Sequence, residues 1–102
     1  MKNLVQYTIK PDQVAKNENL VREVYKELHD SKIEGFHYAT FKMPDGVTFV
    51  HLAFGDSEEA GKQFRDLQAF KNFQSNIKER CDALPIVSAI TEIGTYHFIE
   101  SI

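Results

Sequence analysis

A single cysteine, Cys81, stands in a chain of 102 residues. One thiol cannot staple its own chain, so no internal disulfide framework holds this fold. Basic residues are in no excess: 12 Lys and Arg against 15 Asp and Glu leave a net charge of −3. The cations are scattered, so the electrostatic footprint of a nucleic-acid binder is missing. No apolar run approaches the ~18 residues of a membrane-spanning helix. The first residues, MKNLVQYTIK, carry neither a long apolar stretch nor the small-residue cleavage site of a secretory signal. These absences point to a cytoplasmic chain with no nucleic-acid or membrane partner. Repeats, linkers and low-complexity tracts are missing too, and the length fits one domain spanning residues 1–102 with one core.

What is present is apolar and aromatic. Aromatic side chains make up 12% of the chain, more than a disordered segment would carry. Residues 3–9, NLVQYTI, are β-prone and end before Pro11, which predicts a strand. Val14, Val21, Val24, Tyr25 and Leu28 recur at helical spacing and predict an amphipathic helix over 12–32. Asp56 or Ser57 offers an N-cap for a second helix. Ala60, Phe64, Leu67, Phe70, Phe73, Ile77 and Cys81 form its stripe, with a restart or kink near Asp66. Residues 86–98, IVSAITEIGTYHF, read as a long final strand, with Gly94 at a bend.

Between the helices lies the strongest local signal, GFHYATFKMPDGVTFVHLAF over 35–54. Pro-Asp-Gly between two β-rich runs is a turn, with proline pre-setting one φ and glycine accepting the left-handed conformation. A three-residue loop, which the proline favours, pairs Met43 with Val47 and Phe41 with Phe49. It puts His37 and His51 on one face. A two-residue Asp45–Gly46 loop shifts the register by one and puts them on opposite faces.

The element order is βαββαβ, an α+β, ferredoxin-like arrangement with both helices on one side of a four-stranded antiparallel sheet. In the three-residue register one hairpin face carries Ala39, Phe41, Met43 and Phe49, the other Phe36, Val50, Leu52 and Phe54. Both are apolar. Helices cover one of them, and a second copy of the chain is the simplest cover for the other.

This pattern resembles the dimeric α+β barrel superfamily and its antibiotic-biosynthesis-monooxygenase-like (ABM domain) branch. The resemblance spans about residues 3–98 and is carried best by FVHLAFGDSEEAGKQFRDLQAFKNF, residues 49–73. It implies a homodimer in which the last strand helps join the partner's sheet. It also implies functions among cofactor-independent quinone oxygenases, haem-degrading enzymes and small isomerases. The haem-degrading members rely on an asparagine, a tryptophan and a helical histidine. This chain has no tryptophan, no histidine between His51 and His97, and at best Asn3 for the asparagine. The quinone oxygenases also commonly use a tryptophan, so neither activity transfers residue by residue.

His37 and His51 are the candidate catalytic pair, because histidine exchanges protons near neutral pH. Tyr7 and Tyr38 are candidate hydrogen-bond donors to a substrate. Phe41, Phe49, Phe64, Phe70 and Phe73 are candidate walls for a flat apolar one. His97 reads as a dimer contact, His29 as a helix-end residue and Cys81 as core. The histidines do not fall at metal-motif spacing, so no metal or other cofactor is expected. The reading that follows is a cofactor-free monooxygenase-like homodimer acting on a small aromatic or apolar metabolite. The alternatives are a non-enzymatic ligand-binding or stress-associated dimer and a small isomerase on the same scaffold.

Overall fold

The structure is a computed structural model that describes residues 1–98. It runs β1 (Lys2–Ile9), a 3-10 turn (Pro11–Gln13), α1 (Val14–Ser31), β2 (Phe36–Lys42) and β3 (Thr48–Gly55). Three short helices follow, α2 (Glu58–Arg65), α3 (Gln68–Gln74) and α4 (Ile77–Arg80), and then β4 (Cys81–Ala89). All strand pairs are antiparallel, in the order β2-β3-β1-β4. This is the expected ferredoxin-like fold, with the second helical region broken into pieces.

Local chemistry explains the breaks. Ser57 caps α2, its Oγ accepting from the Ala60 amide at 3.1 Å. The helix stops at Asp66, and Leu67 takes extended backbone angles before α3. The α3 amino end has no cap of its own. Glu27 of α1 reaches across instead, and its Oε1 accepts from the Ala69 amide at 2.7 Å. That bond ties α1 to α3 where α3 begins. Asn76, with φ of 63°, then separates α3 from α4.

The hairpin corrects one expectation. β2 and β3 pair Lys42 with Phe49, Thr40 with His51 and His37 with Phe54. The loop is four residues, Pro44–Val47, closed by the Met43 amide bonding the Thr48 carbonyl at 2.8 Å. Asp45 is the cause. Its carboxylate accepts from the amides of Val47 and Thr48, each at 2.9 Å, and from the Thr48 hydroxyl at 2.6 Å. Gly46, at φ of 77°, makes the reversal, as the turn chemistry requires. The register is therefore the shifted one, and His37 and His51 lie on opposite faces of the sheet.

The final strand is also corrected. It begins at Cys81, immediately after α4, and ends at Ala89. Backbone bonds to β1 fix this placement: Lys10 donates to the Arg80 carbonyl and Ile90 to the Lys2 carbonyl, at 2.8 and 2.9 Å. The register shifts around Tyr7, where Leu84 and Pro85 oppose one residue of β1. A bulge on an edge strand is where a proline fits. Residues 91–98 are exposed and carry no strand.

One sheet face packs on the helices. Tyr7, Ile9, Val21, Val24, Phe49, Phe64, Leu67, Phe73 and Cys81 make the buried core. Among the described residues no helix covers the opposite face; residues 90–98 lie against one end of it, with the Phe98 ring 6.5 Å from that of Phe54. One row across it is Ala39–Leu52–Leu4–Ser88, and the next is Phe41–Val50–Gln6–Ile86. Phe41 is 52% and Ile86 69% exposed.

Glu27→Ala removes the only side-chain cap on α3 among the described residues. Losing a helix cap costs about 1 kcal/mol, so the urea midpoint falls by that equivalent. An unchanged midpoint would show that solvent replaces the cap.

Candidate active site

The central strand β3 carries His51 on the helix side. Its direct neighbours are Val5 on β1 and Thr40 on β2. Two residues along from each of these, on the same face, sit Tyr7 and Tyr38. Such diagonal neighbours lie within reach of aromatic side chains. Both tyrosines reach the imidazole. Tyr7 Oη is 2.7 Å from Nε2, Tyr38 Oη is 2.5 Å from Nδ1, and Thr40 Oγ1 is 3.3 Å from Nδ1. Tyr25 supports Thr40 with a 2.8 Å hydroxyl contact.

On the far side of Tyr7 the chain of polar groups continues. Asn17 Nδ2 donates to Tyr7 Oη at 3.0 Å, and Arg80 Nε donates to Asn17 Oδ1 at 3.3 Å. Arg80 also donates to the carbonyls of Phe73 and Ser75, at 2.6 and 3.0 Å. Its guanidinium lies over the Phe73 ring, 5.3 Å from the centroid. Tyr7, Asn17, His51 and Arg80 are the buried side chains of this network, at 2%, 0%, 3% and 2% exposure. Among the described residues no buried side-chain polar atom lacks a partner.

The sequence reading did not single out Asn17 or Arg80. Each interrupts an apolar stripe: Asn17 falls between Val14 and Val21, and Arg80 falls three residues after Ile77. A polar residue in such a place must find a buried partner, and that was the available signal.

A cavity of about 520 Å³ opens between the sheet and α2–α3. Tyr7, Tyr38, His51, Phe64, Phe70 and Phe73 line it, six of the nine candidate site residues. The Phe64 and Phe70 rings are 4.4 Å apart, and Phe73 lies 5.5 Å from His51. Met1, Arg65, Gln74 and Val87 also line it and are exposed, which marks the mouth. Arg65 is the one charged side chain on the wall among the described residues. The other candidates lie elsewhere. Phe49 is core, stacked on Tyr7 at 5.6 Å. Phe41 and His37 are on the opposite sheet face, where His37 Nε2 sits 3.5 Å from an Asp56 carboxylate oxygen. His29 is exposed in the last turn of α1, and Cys81 is buried. His97 follows Tyr96 with φ of 53°, their rings 4.2 Å apart. Among the described residues no group of three His, Cys, Asp or Glu is placed to hold a metal ion, and no helix is long and apolar enough to cross a membrane.

Burial sets the protonation states. It lowers the His51 pKa to about 4, so the imidazole is neutral at pH 7. Burial pushes the Tyr7 and Tyr38 hydroxyls well above the usual phenol range, and the Asn17 bond opposes this at Tyr7. Burial also raises the Cys81 thiol, which makes it a poor nucleophile. The site is thus a neutral base whose two nitrogens both meet phenols, on the wall of an apolar cavity.

No protein-family model matches the chain, and no curated protein matches it. Solved structures do. A crystal structure described as an antibiotic biosynthesis monooxygenase superposes with a TM-score of 0.75 at 17% identity, covering 91% of this chain and 98% of that one. Rv0793 from Mycobacterium tuberculosis gives 0.76 at 15% identity, covering 92% and 95%. SnoaB from Streptomyces nogalater, described as a cofactor-independent oxygenase, gives 0.66 at 12% identity, covering 92% and 93%. The chain therefore has the fold of the antibiotic biosynthesis monooxygenases.

The lowered His51 pKa makes stability depend on pH. An unfolded histidine titrates near 6.5. Between about pH 6.5 and 4 the unfolded chain takes up a proton that the folded chain refuses. The contribution is full above pH 6.5 and is lost as pH falls to about 4, on the order of 3 kcal/mol in all. Urea unfolding at pH 7 and pH 5 checks this: wild type loses more stability than His51→Gln. Equal losses would place the His51 pKa near its unfolded value.

Proposed function

We propose that this chain forms a cytoplasmic homodimer that binds a small aromatic or apolar molecule and performs acid–base chemistry on it without a bound cofactor, in the manner of a cofactor-independent monooxygenase. The observation that carries the reading is the neutral His51, held between Tyr7 and Tyr38 on the wall of a 520 Å³ cavity. A volume of this size suits a small organic ligand. The phenylalanine walls favour a flat apolar body, and Arg65 at the mouth favours an acidic substituent. In such chemistry a base draws a proton from a phenol or activated carbon, and nearby donors hold the resulting anion away from water. An electron-rich anion of this kind can react with dioxygen, or can be reprotonated elsewhere as an isomerase would do. The likeness of fold to a described cofactor-independent oxygenase supports the first course. His37, on the opposite face, has no part in the proposal.

One observation favours a second reading, a dimer that binds a ligand without transforming it. Both ring nitrogens of His51 already have partners, so no bare base faces the cavity. Any proton transfer must pass through a tyrosine.

The exposed apolar side of the sheet supports the homodimer. Its Leu4, Val50, Leu52, Phe54 and Ile86 are an apolar surface that a second copy would bury in an isologous contact. Leu84, Val87, Ile93 and Tyr96, all more than half exposed, extend the apolar surface beyond that face.

Oxygen uptake with a quinol substrate tests the chemistry. His51→Ala should lower turnover at least 100-fold, the usual scale for a lost acid–base group. Unchanged turnover would overturn the assignment, and ligand binding without turnover in wild type would favour the binding reading. Sedimentation tests the assembly: wild type runs as a dimer at micromolar concentration and Leu52→Glu as a monomer. A monomeric wild type would remove the homodimer from the proposal.

A further inference from the structure

We infer that Arg80 and Asn17 are positioning residues that hold His51 in its Nδ1–H tautomer, making Tyr7 the proton-accepting end of the site and Tyr38 the end that donates a hydrogen bond into the cavity. The two roles assigned to the tyrosines rest on the proposed function; the tautomer does not.

Donor and acceptor identities, taken with the burial of Tyr7, give the result one bond at a time. A guanidinium has N–H donors and no acceptor. The Asn17 atom 3.3 Å from Arg80 Nε is therefore the amide oxygen, and the NH₂ group must be the one that faces Tyr7. That NH₂ donates to Tyr7 Oη at 3.0 Å, so the phenol oxygen accepts there. Tyr7 has a single proton and is 2% exposed, and His51 Nε2 at 2.7 Å is the one acceptor within its reach among the described residues. The proton goes to Nε2, which must then be bare. A neutral imidazole with bare Nε2 carries its proton on Nδ1. Nδ1–H points at Tyr38 Oη, 2.5 Å away, with Thr40 Oγ1 at 3.3 Å as a second acceptor. Tyr38 therefore accepts from the ring, has the Thr40 hydroxyl as a further hydrogen-bonding neighbour, and lines the cavity.

Arg80 suits a fixed reference point. It is 2% exposed and has no carboxylate partner within salt-bridge distance among the described residues. Burying a cation without a counter-ion is costly, so its bonds to two carbonyls and to Asn17 leave it one orientation. The amide of Asn17 then has one as well.

The direction matters for chemistry. A ligand proton passes to Tyr7 Oη while Tyr7 gives its own proton to Nε2. The products are a ligand anion and an imidazolium, with charge and protons balanced. The imidazolium Nδ1–H still donates to Tyr38, and the Tyr38 O–H turns from Thr40 to hold the anion. The opposite tautomer would exchange the two tyrosines' roles.

Nitrogen NMR on histidine-labelled full-length protein at neutral pH reads the tautomer without a ligand. The wild type should show a protonated-type shift at His51 Nδ1 and a bare-type shift at Nε2. In Asn17→Asp the carboxylate accepts the Tyr7 proton, Tyr7 turns acceptor, and the two shifts exchange; the neighbouring Arg80 pairs with the new charge. A wild type with Nε2 protonated, or an Asn17→Asp protein with the wild-type pattern, overturns the inference. Should Asn17→Asp fail to fold, Arg80→Lys serves instead. Loss of the guanidinium fork should release the amide and give mixed or averaged shifts, and an undisturbed single Nδ1–H tautomer overturns the role of Arg80. If the tautomer is as inferred while His51→Ala leaves turnover unchanged, the proposed chemistry fails and the positioning stands.

Discussion

A β-strand alternates its faces with a period of two, so one residue of register decides which side chains share a face. Everything in the site depends on that choice in the β2–β3 hairpin. Asp45 makes it, with three bonds to Val47 and Thr48 that close a four-residue loop. With Thr40 opposite His51, the even residues of β2 face the helices, and Tyr38 comes alongside the imidazole. A shift of one residue would bring Ala39 and His37 to that side instead. The aspartate is exposed and far from the cavity, yet it sets which phenol meets the histidine.

The buried polar chain from Arg80 to Tyr25 shows the opposite economy. Each member is satisfied by the next, and Tyr7, Asn17, His51 and Arg80 are buried. Low local dielectric strengthens such bonds and penalises any missing one. The same burial that keeps His51 neutral also keeps both phenols protonated. The network is therefore closed at rest, and a ligand is what would open it.

Much of the fold was legible in the sequence because it follows from periodicity. The valines of α1, the Phe64–Phe73 stripe and the β-rich runs on either side of the Pro-Asp-Gly turn each point to one element type, and those elements form. The last strand was misplaced because Ile86–Phe98 is β-prone throughout. Propensity carries no information about where β1 supplies partners, and those lie opposite Cys81–Ala89. Of the cavity wall, His51, Tyr7, Tyr38 and three phenylalanines were legible in the sequence by residue type. His37 was read as their companion because proline and glycine suggested a shorter loop than Asp45 allows. Asn17 and Arg80 went unread because charged and amide side chains on a helix are usually solvated. Only the packed structure shows that these two point inward.

Pro85 has a consequence for how the sheet can grow. β4 is an edge strand, and an edge with a full row of free amides invites another strand to add alongside. Proline supplies no amide, and here it sits in the bulge opposite Tyr7. The ladder that an added strand would need is interrupted midway. Growth by edge-to-edge zippering into open-ended fibrils is thereby discouraged along the β4 edge.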